Sequence, residues 1–212
     1  MSERHRIIGI DPGTRITGYG IIEVTGNGIL LIDFGCIRPP PTLPLHERFR
    51  IIHEGVAELM LRHEPHSLSV ETQYFPRETP NVNSLIKLGM ARGVIVLAAA
   101  QRHMSVHEYA PARVKQAVVG NGRASKEQIQ SMIQRLLALE SLPQPADAAD
   151  ALALAICHAH SLRHNKLFGE MKCTHSSAEP FASRILPKRS LKPKASVSNS
   201  TSPSAPTLSS QA

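Results

Sequence analysis

The chain has 212 residues, 42% of them hydrophobic and 19% charged, with a net charge of +7. That is enough for one well-buried domain with extensions, and the positive charge suggests a polyanionic partner. The charge is uneven, however: residues 161–212 hold eight Lys/Arg and two Glu, so residues 1–160 are nearly neutral. The three cysteines, Cys36, Cys157 and Cys173, have neither disulfide-framework nor zinc spacing, which fits a reducing cytoplasm. No signal peptide is expected at the N-terminus. The apolar run "GVIVLAAA" is too short to span a bilayer, so no membrane is expected.

In chain order, "IIGI" predicts a fully buried strand ended by Asp11, with a turn at Pro12-Gly13. Gly18 and Gly20 lie in the next strand, and "GILLIDFGCIR" makes a third after a turn at residues 26–28. These three strands are expected to be antiparallel. Leu45, Phe49, Ile52, Val56 and Leu59 then mark one face of a helix. "SLSVET" is a short strand that carries Glu71. "NVNSLIKLGMARGVIVLAAAQR" is a long helix and a candidate dimer face, with core packing as its rival role.

"MSVHEYA" follows as a strand, and "PARVKQAVV" as a helix opened by Pro111. "SKEQIQSMIQRLLAL" is a further helix with a Ser125–Gln128 capping box. The last helix, "PADAADALALAICHAH", has almost no polar side. The expected fold is α/β: a mixed five-stranded sheet, three antiparallel strands followed by parallel ones, flanked by helices. Residues 1–165 form the domain. Residues 166–212 form a basic Ser/Pro-rich tail, disordered by composition.

Asp147 and Asp150 share one face of the last helix. A first-turn acid is favoured by the helix dipole, which accounts for Asp147. Asp150 has apolar helical neighbours, and burying a bare carboxylate costs several kcal/mol unless a cation pairs with it. A metal ion and an arginine are both candidates. Asp11 and Glu71 each end an apolar strand. An Asx-turn accounts for Asp11 alone, but if the two strands are neighbours the four carboxylates meet. Like charges about 4 Å apart repel by roughly 4 kcal/mol at an effective dielectric near 20. Such a cluster requires cations, and hard oxygen donors select Mg²⁺ or Mn²⁺. Two such ions can clamp the attacking and leaving oxygens of a phosphoryl displacement.

The series "GIDPGTRITGYG", "VETQYF", "LIKLGMARGV", "HEYAPARVKQAVVGNGRASKEQI" and "PADAADALALAICHAH" resembles, in order and spacing, the RuvC-type Holliday-junction resolvases. It runs from Ile7 to His160. The resemblance implies an RNase H-like fold, a homodimer, and paired Mg²⁺-dependent nicking of four-way DNA junctions, with two ions per subunit. It maps the family's acids onto Asp11, Glu71, Asp147 and Asp150, and implies RuvA and RuvB, the branch-migration proteins, as partners. It also implies that the segment after Glu71 enters the junction. Here that segment is "QYFPRETPNVNS", longer than usual and without the family's Lys-Asn pair. Tyr74 or Phe75 is then the wedge, and Arg77 the substitute cation.

The same resemblance places Lys115 and Lys126 near the acids. Lys115 is expected to assist catalysis, and Arg113 and Lys126 to contact DNA. A solvated helix face is the competing role for the lysines. His160 and His164 have the i, i+4 spacing of a metal pair, although a solvated His near a helix C-terminus is commoner. "GIDPGT" is also similar to the first phosphate loop of actin-like ATPases, but about 160 folded residues leave no room for a second lobe. Two further functions compete with junction cleavage: a non-catalytic nucleic-acid scaffold and an RNA-directed nuclease.

Overall fold

The computed structural model describes residues 4–26, 28–72 and 82–168. Strands β1 (His5–Asp11), β2 (Thr17–Thr25) and β3 (Gly28–Ile37) are followed by helix α1 (Leu45–His63) and strand β4 (Ser67–Glu71). Helix α2 (Val82–Gln101), strand β5 (Ser105–Tyr109) and helices α3 (Pro111–Val119), α4 (Lys126–Leu136) and α5 (Ala146–Phe168) complete the order. The sheet runs β3-β2-β1-β4-β5. The first three strands pair antiparallel, and β4 joins β1 and β5 in parallel. This is the mixed five-stranded α/β sheet expected from the sequence.

Alternation along β1 divides the core in two. Ile8 and Ile10 pack with α1 and α2 through Phe49, Ile52, Val56 and Ile95. Ile7 faces the other way, onto Leu152 and Ile156 of α5. Both faces of the sheet are covered, which is why β1 is a continuous apolar run.

Local chemistry sets the helix ends. Pro111 opens α3 at its first turn, and Gly120 closes it in the left-handed region, φ 81°. The capping box of α4 is formed in both directions: Gln128 N donates to Ser125 Oγ and Ser125 N donates to Gln128 Oε1. That helix ends at Leu136, earlier than its sequence pattern suggests, and Ala138 turns the chain at φ 51°.

The run "GVIVLAAA" is only part of α2, a 20-residue helix that is long and apolar enough to cross a membrane by length and composition. In this fold its Ala91, Ile95, Ala98 and Ala99 are buried in the core shared with α1 and the sheet.

Helix α5 is buried at every position from Ala151 to Ala159, as a helix that is apolar all round must be. β1 and β2 lie on one side of it, and α3 and α4 on the other. Its backbone seats directly on the glycines of β1 and β2. A Cβ on Gly9 would stand 2.1 Å from the Ala151 carbonyl oxygen, and one on Gly18 would stand 2.0 Å from that of Asp147. The sparse side chains of β2 therefore mark the path of the helix. Because the obstruction at Gly9 is backbone, Gly9→Ala must push α5 away. Overpacking costs about 1–3 kcal/mol, so urea denaturation should show a loss at the top of that range or beyond.

Candidate active site

The acids arrive from three elements. Asp11 is the last residue of β1 and Glu71 the last of β4. The strands run parallel with Ile10 beside Val70, so the two carboxylates leave the sheet side by side. Gly18 faces Asp11 across the β1–β2 ladder. Its missing side chain admits the start of α5, which brings in Asp147 and Asp150. Pro145 accepts the first helical hydrogen bonds, from Ala148 and Ala149, so Asp147 lies in the first turn.

The turn after Asp11 is held tightly. The Thr17 hydroxyl donates to the Gly13 carbonyl at 2.7 Å, and the Arg48 guanidinium of α1 donates to the Thr14 carbonyl. Sequence reasoning missed Arg48. Its one signal was a guanidinium directly beside Phe49, on the buried edge of an amphipathic helix.

Asp11, Glu71 and Asp150 line a cavity of about 230 Å³ together with Lys115 and Lys126. Val114, Ile129 and Leu154 form its apolar part. Burial raises the Asp11 carboxyl from 3.8 to about 7, and repulsion from Asp150, Glu71 and Asp147 adds to the rise. Burial, then Asp150, also raises Glu71, while Lys126 and Lys115 oppose the shift. Asp147 is not in the cavity lining, but its charge reaches Asp11.

Lys126 supplies the local counter-charge, with Nζ 3.1 Å from Asp150 Oδ2. The sequence pattern allows a metal or an arginine as the partner of Asp150; in the fold a lysine takes that place. Both side chains are substantially exposed, 68% and 36%, and such pairs contribute only about 0–1 kcal/mol. Lys126 can therefore leave at little cost.

The donor set fits a hard divalent cation: carboxylate oxygens, one of them desolvated and repelled by three others. Among the described residues no three acidic, His or Cys side chains stand as a ready metal-ligand group.

The remaining expected residues fare differently. Arg113 is exposed on α3 and outside the cavity lining. His160 bonds the Ala117 carbonyl of α3 at 2.9 Å, a role in holding the two helices together rather than in ligation. His164 is exposed near the end of α5 and is not in the cavity lining. Tyr74, Phe75 and Arg77 lie outside the described residues.

The Asp11 shift has a thermodynamic consequence. Its folded value, near 7, exceeds the unfolded value of 3.8, so the folded state holds the extra proton between those limits. The associated stability is complete below about pH 4 and is lost as pH rises through 7. At pH 8 the ionised group costs on the order of 2–4 kcal/mol. In chelator, Asp11→Asn should therefore melt higher than wild type at pH 8, and the gap should close toward pH 4, as thermal melts across that range will show.

Comparison with known proteins agrees with this geometry. The family model described as "Crossover junction endodeoxyribonuclease RuvC" matches residues 7–158. The protein of that name from Protochlamydia amoebophila is 55% identical over 159 residues, covering 75% of this chain and 93% of the relative. The Thermus thermophilus RuvC structure is 35% identical, with a TM-score of 0.68, covering 76% of this chain and 96% of that one. The same protein in complex with Holliday junction substrate superposes with a TM-score of 0.70 at 34% identity. With most of its length matched by the family model and by a relative at this identity, the chain belongs to the RuvC family of crossover junction endodeoxyribonucleases.

Proposed function

We propose that the chain is a structure-selective endodeoxyribonuclease that resolves Holliday junctions by paired nicking during recombination and repair, in the cytoplasm. The observation that carries this reading is the desolvated Asp11, set between Glu71 and Asp150 over a cavity with two lysines, in a chain of this family. A scaffold that only bound phosphate would gain nothing from four carboxylates, and no feature favours an RNA substrate.

The chemistry is in-line hydrolysis of a phosphodiester. Mg²⁺, two per subunit with Mn²⁺ as a substitute, would offset the repulsion between phosphate and carboxylates and stabilise the attacking and leaving oxygens. Asp11, Glu71, Asp147 and Asp150 are the proposed ligands, Asp11 in the central position. Lys115 stands against the cavity wall, where it can neutralise charge developing on the phosphate. Lys126, once released from Asp150, and Arg113, on the exposed side of α3, are proposed to contact backbone phosphates. Tyr74 or Phe75, with Arg77, is proposed for the junction centre on the family resemblance. Residues 166–212 are proposed as a separate basic tail.

Paired cuts need two active sites, and the proposed homodimer supplies them. Helix α2 offers the face: Val82, Ile86, Met90 and Leu97 are 48–59% exposed along one helix. A Cβ on Gly93 would meet nothing within 4 Å, so close approach of a second helix is unobstructed there. RuvA and RuvB are proposed as partners on the resemblance alone.

On a synthetic four-way junction in Mg²⁺, wild type should nick symmetric strands and leave linear duplex intact. Full activity in chelator would count against the reading. Asp11→Asn and Asp150→Asn should each lose about 10²-fold or more in nicking, while gel shifts show junction binding retained. Ile86→Glu with Met90→Glu should shift the protein to monomer in sedimentation and reduce paired cuts to single nicks.

A further inference from the structure

The underside of α5 carries a buried polar cluster that the proposed chemistry does not use. His158 is 1% exposed within an otherwise apolar helix. The Tyr109 hydroxyl and the His158 Nδ1 are hydrogen-bonded at 2.7 Å. The His107 ring stacks on it at 4.0 Å, and His5 approaches edge-on at 6.4 Å. Burial lowers His158 from 6.5 to about 3, with His107 and His5 adding to the shift, so the ring is neutral. Burial also raises Tyr109, which keeps it a protonated donor. The imidazole planes of His107 and His158 lie nearly parallel, at 27°.

The cluster is a poor solution to packing alone. Nε2 of His158 and the hydroxyl of Ser69 are buried with no hydrogen-bond partner, and each such group costs stability that an apolar residue would not. A retained buried polar contact of this kind serves register and placement. Its location shows what it places. Tyr109 ends β5 directly beside Glu71 in the β4–β5 ladder, and its carbonyl accepts from Thr72 N at 2.9 Å. His158 lies two turns beyond Asp150 on α5, roughly 12 Å along a rigid rod. The Tyr109 hydroxyl, bonded to His158 and also to Ser161, thus joins the strand end that presents Glu71 to the helix that presents Asp147 and Asp150.

The other contacts on this sheet-facing side of α5 do not do the same work. There the helix rests on Gly9, Gly18 and Gly20. These contacts, with Leu152 and Ile156 packed on Ile7, set the distance between helix and sheet but are not directional. A directional hydrogen bond resists sliding along the axis. The His160 contact with Ala117 ties α5 to α3, which carries Lys115, and not to the acid-bearing strands.

We propose that His158, held by Tyr109, is a positioning residue that fixes the axial placement of α5 and so the placement of Asp147 and Asp150 against Asp11 and Glu71. The inference rests on the nuclease reading. Misplacing a reacting or ligating group by about 1 Å costs 10- to 100-fold in rate.

The test uses full-length His158→Leu, Tyr109→Phe, the double variant and His158→Asn. The Asn amide oxygen stands near the position of Nδ1. Steady-state cleavage of a four-way junction in Mg²⁺ is measured well below each variant's melting temperature. His158→Leu and Tyr109→Phe should each lower kcat about 10- to 100-fold, with KM within about twofold. The double variant should be no worse than Tyr109→Phe, because that variant already removes the bond to His158 along with the contact to Ser161. His158→Asn should recover most of the rate. A lower melting temperature with unchanged kcat would overturn the proposal, as would additive losses or an Asn variant no better than Leu. Wild type run alongside separates the two readings. If wild type fails to cut, the nuclease reading fails; if it cuts and the variants match it, only the positioning role fails. Should His158→Leu not fold, Tyr109→Phe, which removes one hydroxyl, decides alone.

Discussion

Everything at the acidic site depends on how closely α5 approaches the sheet. Asp147 and Asp150 could not reach the ends of β1 and β4 if β1 and β2 carried side chains beneath the helix. Gly9, Gly18 and Gly20 remove that layer, and the helix meets backbone and short side chains where a normal helix–sheet interface would have larger ones. The helix in turn must carry small side chains where it meets the sheet, hence its run of alanines. Close packing of this kind leaves little room to adjust. The acids are held by a scaffold that resists deformation, which is what a site needing fixed placement of charged ligands requires.

Much of this architecture was legible in the sequence because it follows from local patterns. The apolar run of β1, the amphipathic spacing of α1, Pro111 at the start of α3 and the Ser125–Gln128 box each have one dominant physical meaning, and each element formed where that meaning put it. The acids were legible for a different reason: Asp150 among alanines and leucines is costly enough to demand a partner. What the pattern hid was long-range and polar. Lys126 as the partner of Asp150, Arg48 on the Thr14 carbonyl, and Tyr109 on His158 join residues far apart in the chain. From the sequence, Gly18 and Gly20 are simply residues of the second strand. Their actual purpose, clearance for a helix more than a hundred residues later, becomes visible only once α5 is in place.

Helix α2 shows the limit of composition from the other side. Its length and hydropathy equally suit a membrane span, a core helix or an interface helix. The fold shows one face buried through Ala91, Ile95, Ala98 and Ala99, and a second apolar face left exposed. A helix half in the core and half apolar toward solvent has the surface expected of an interface.

The electrostatics explain why such a site is stable enough to exist yet ready to change. Burial and three neighbouring acids work against ionised Asp11, so in the absence of a cation the fold carries a cost at the point where chemistry is proposed. Lys126 offsets part of it through a solvent-exposed contact with Asp150. A buried arginine in that position would have bound more firmly and blocked the cavity. An exposed lysine on the first turn of α4 neutralises the cluster while remaining easy to displace. The same free energy that strains the metal-free protein becomes binding energy for whatever positive charge enters, because ions that favour the folded, ionised state are stabilised by the repulsion they relieve.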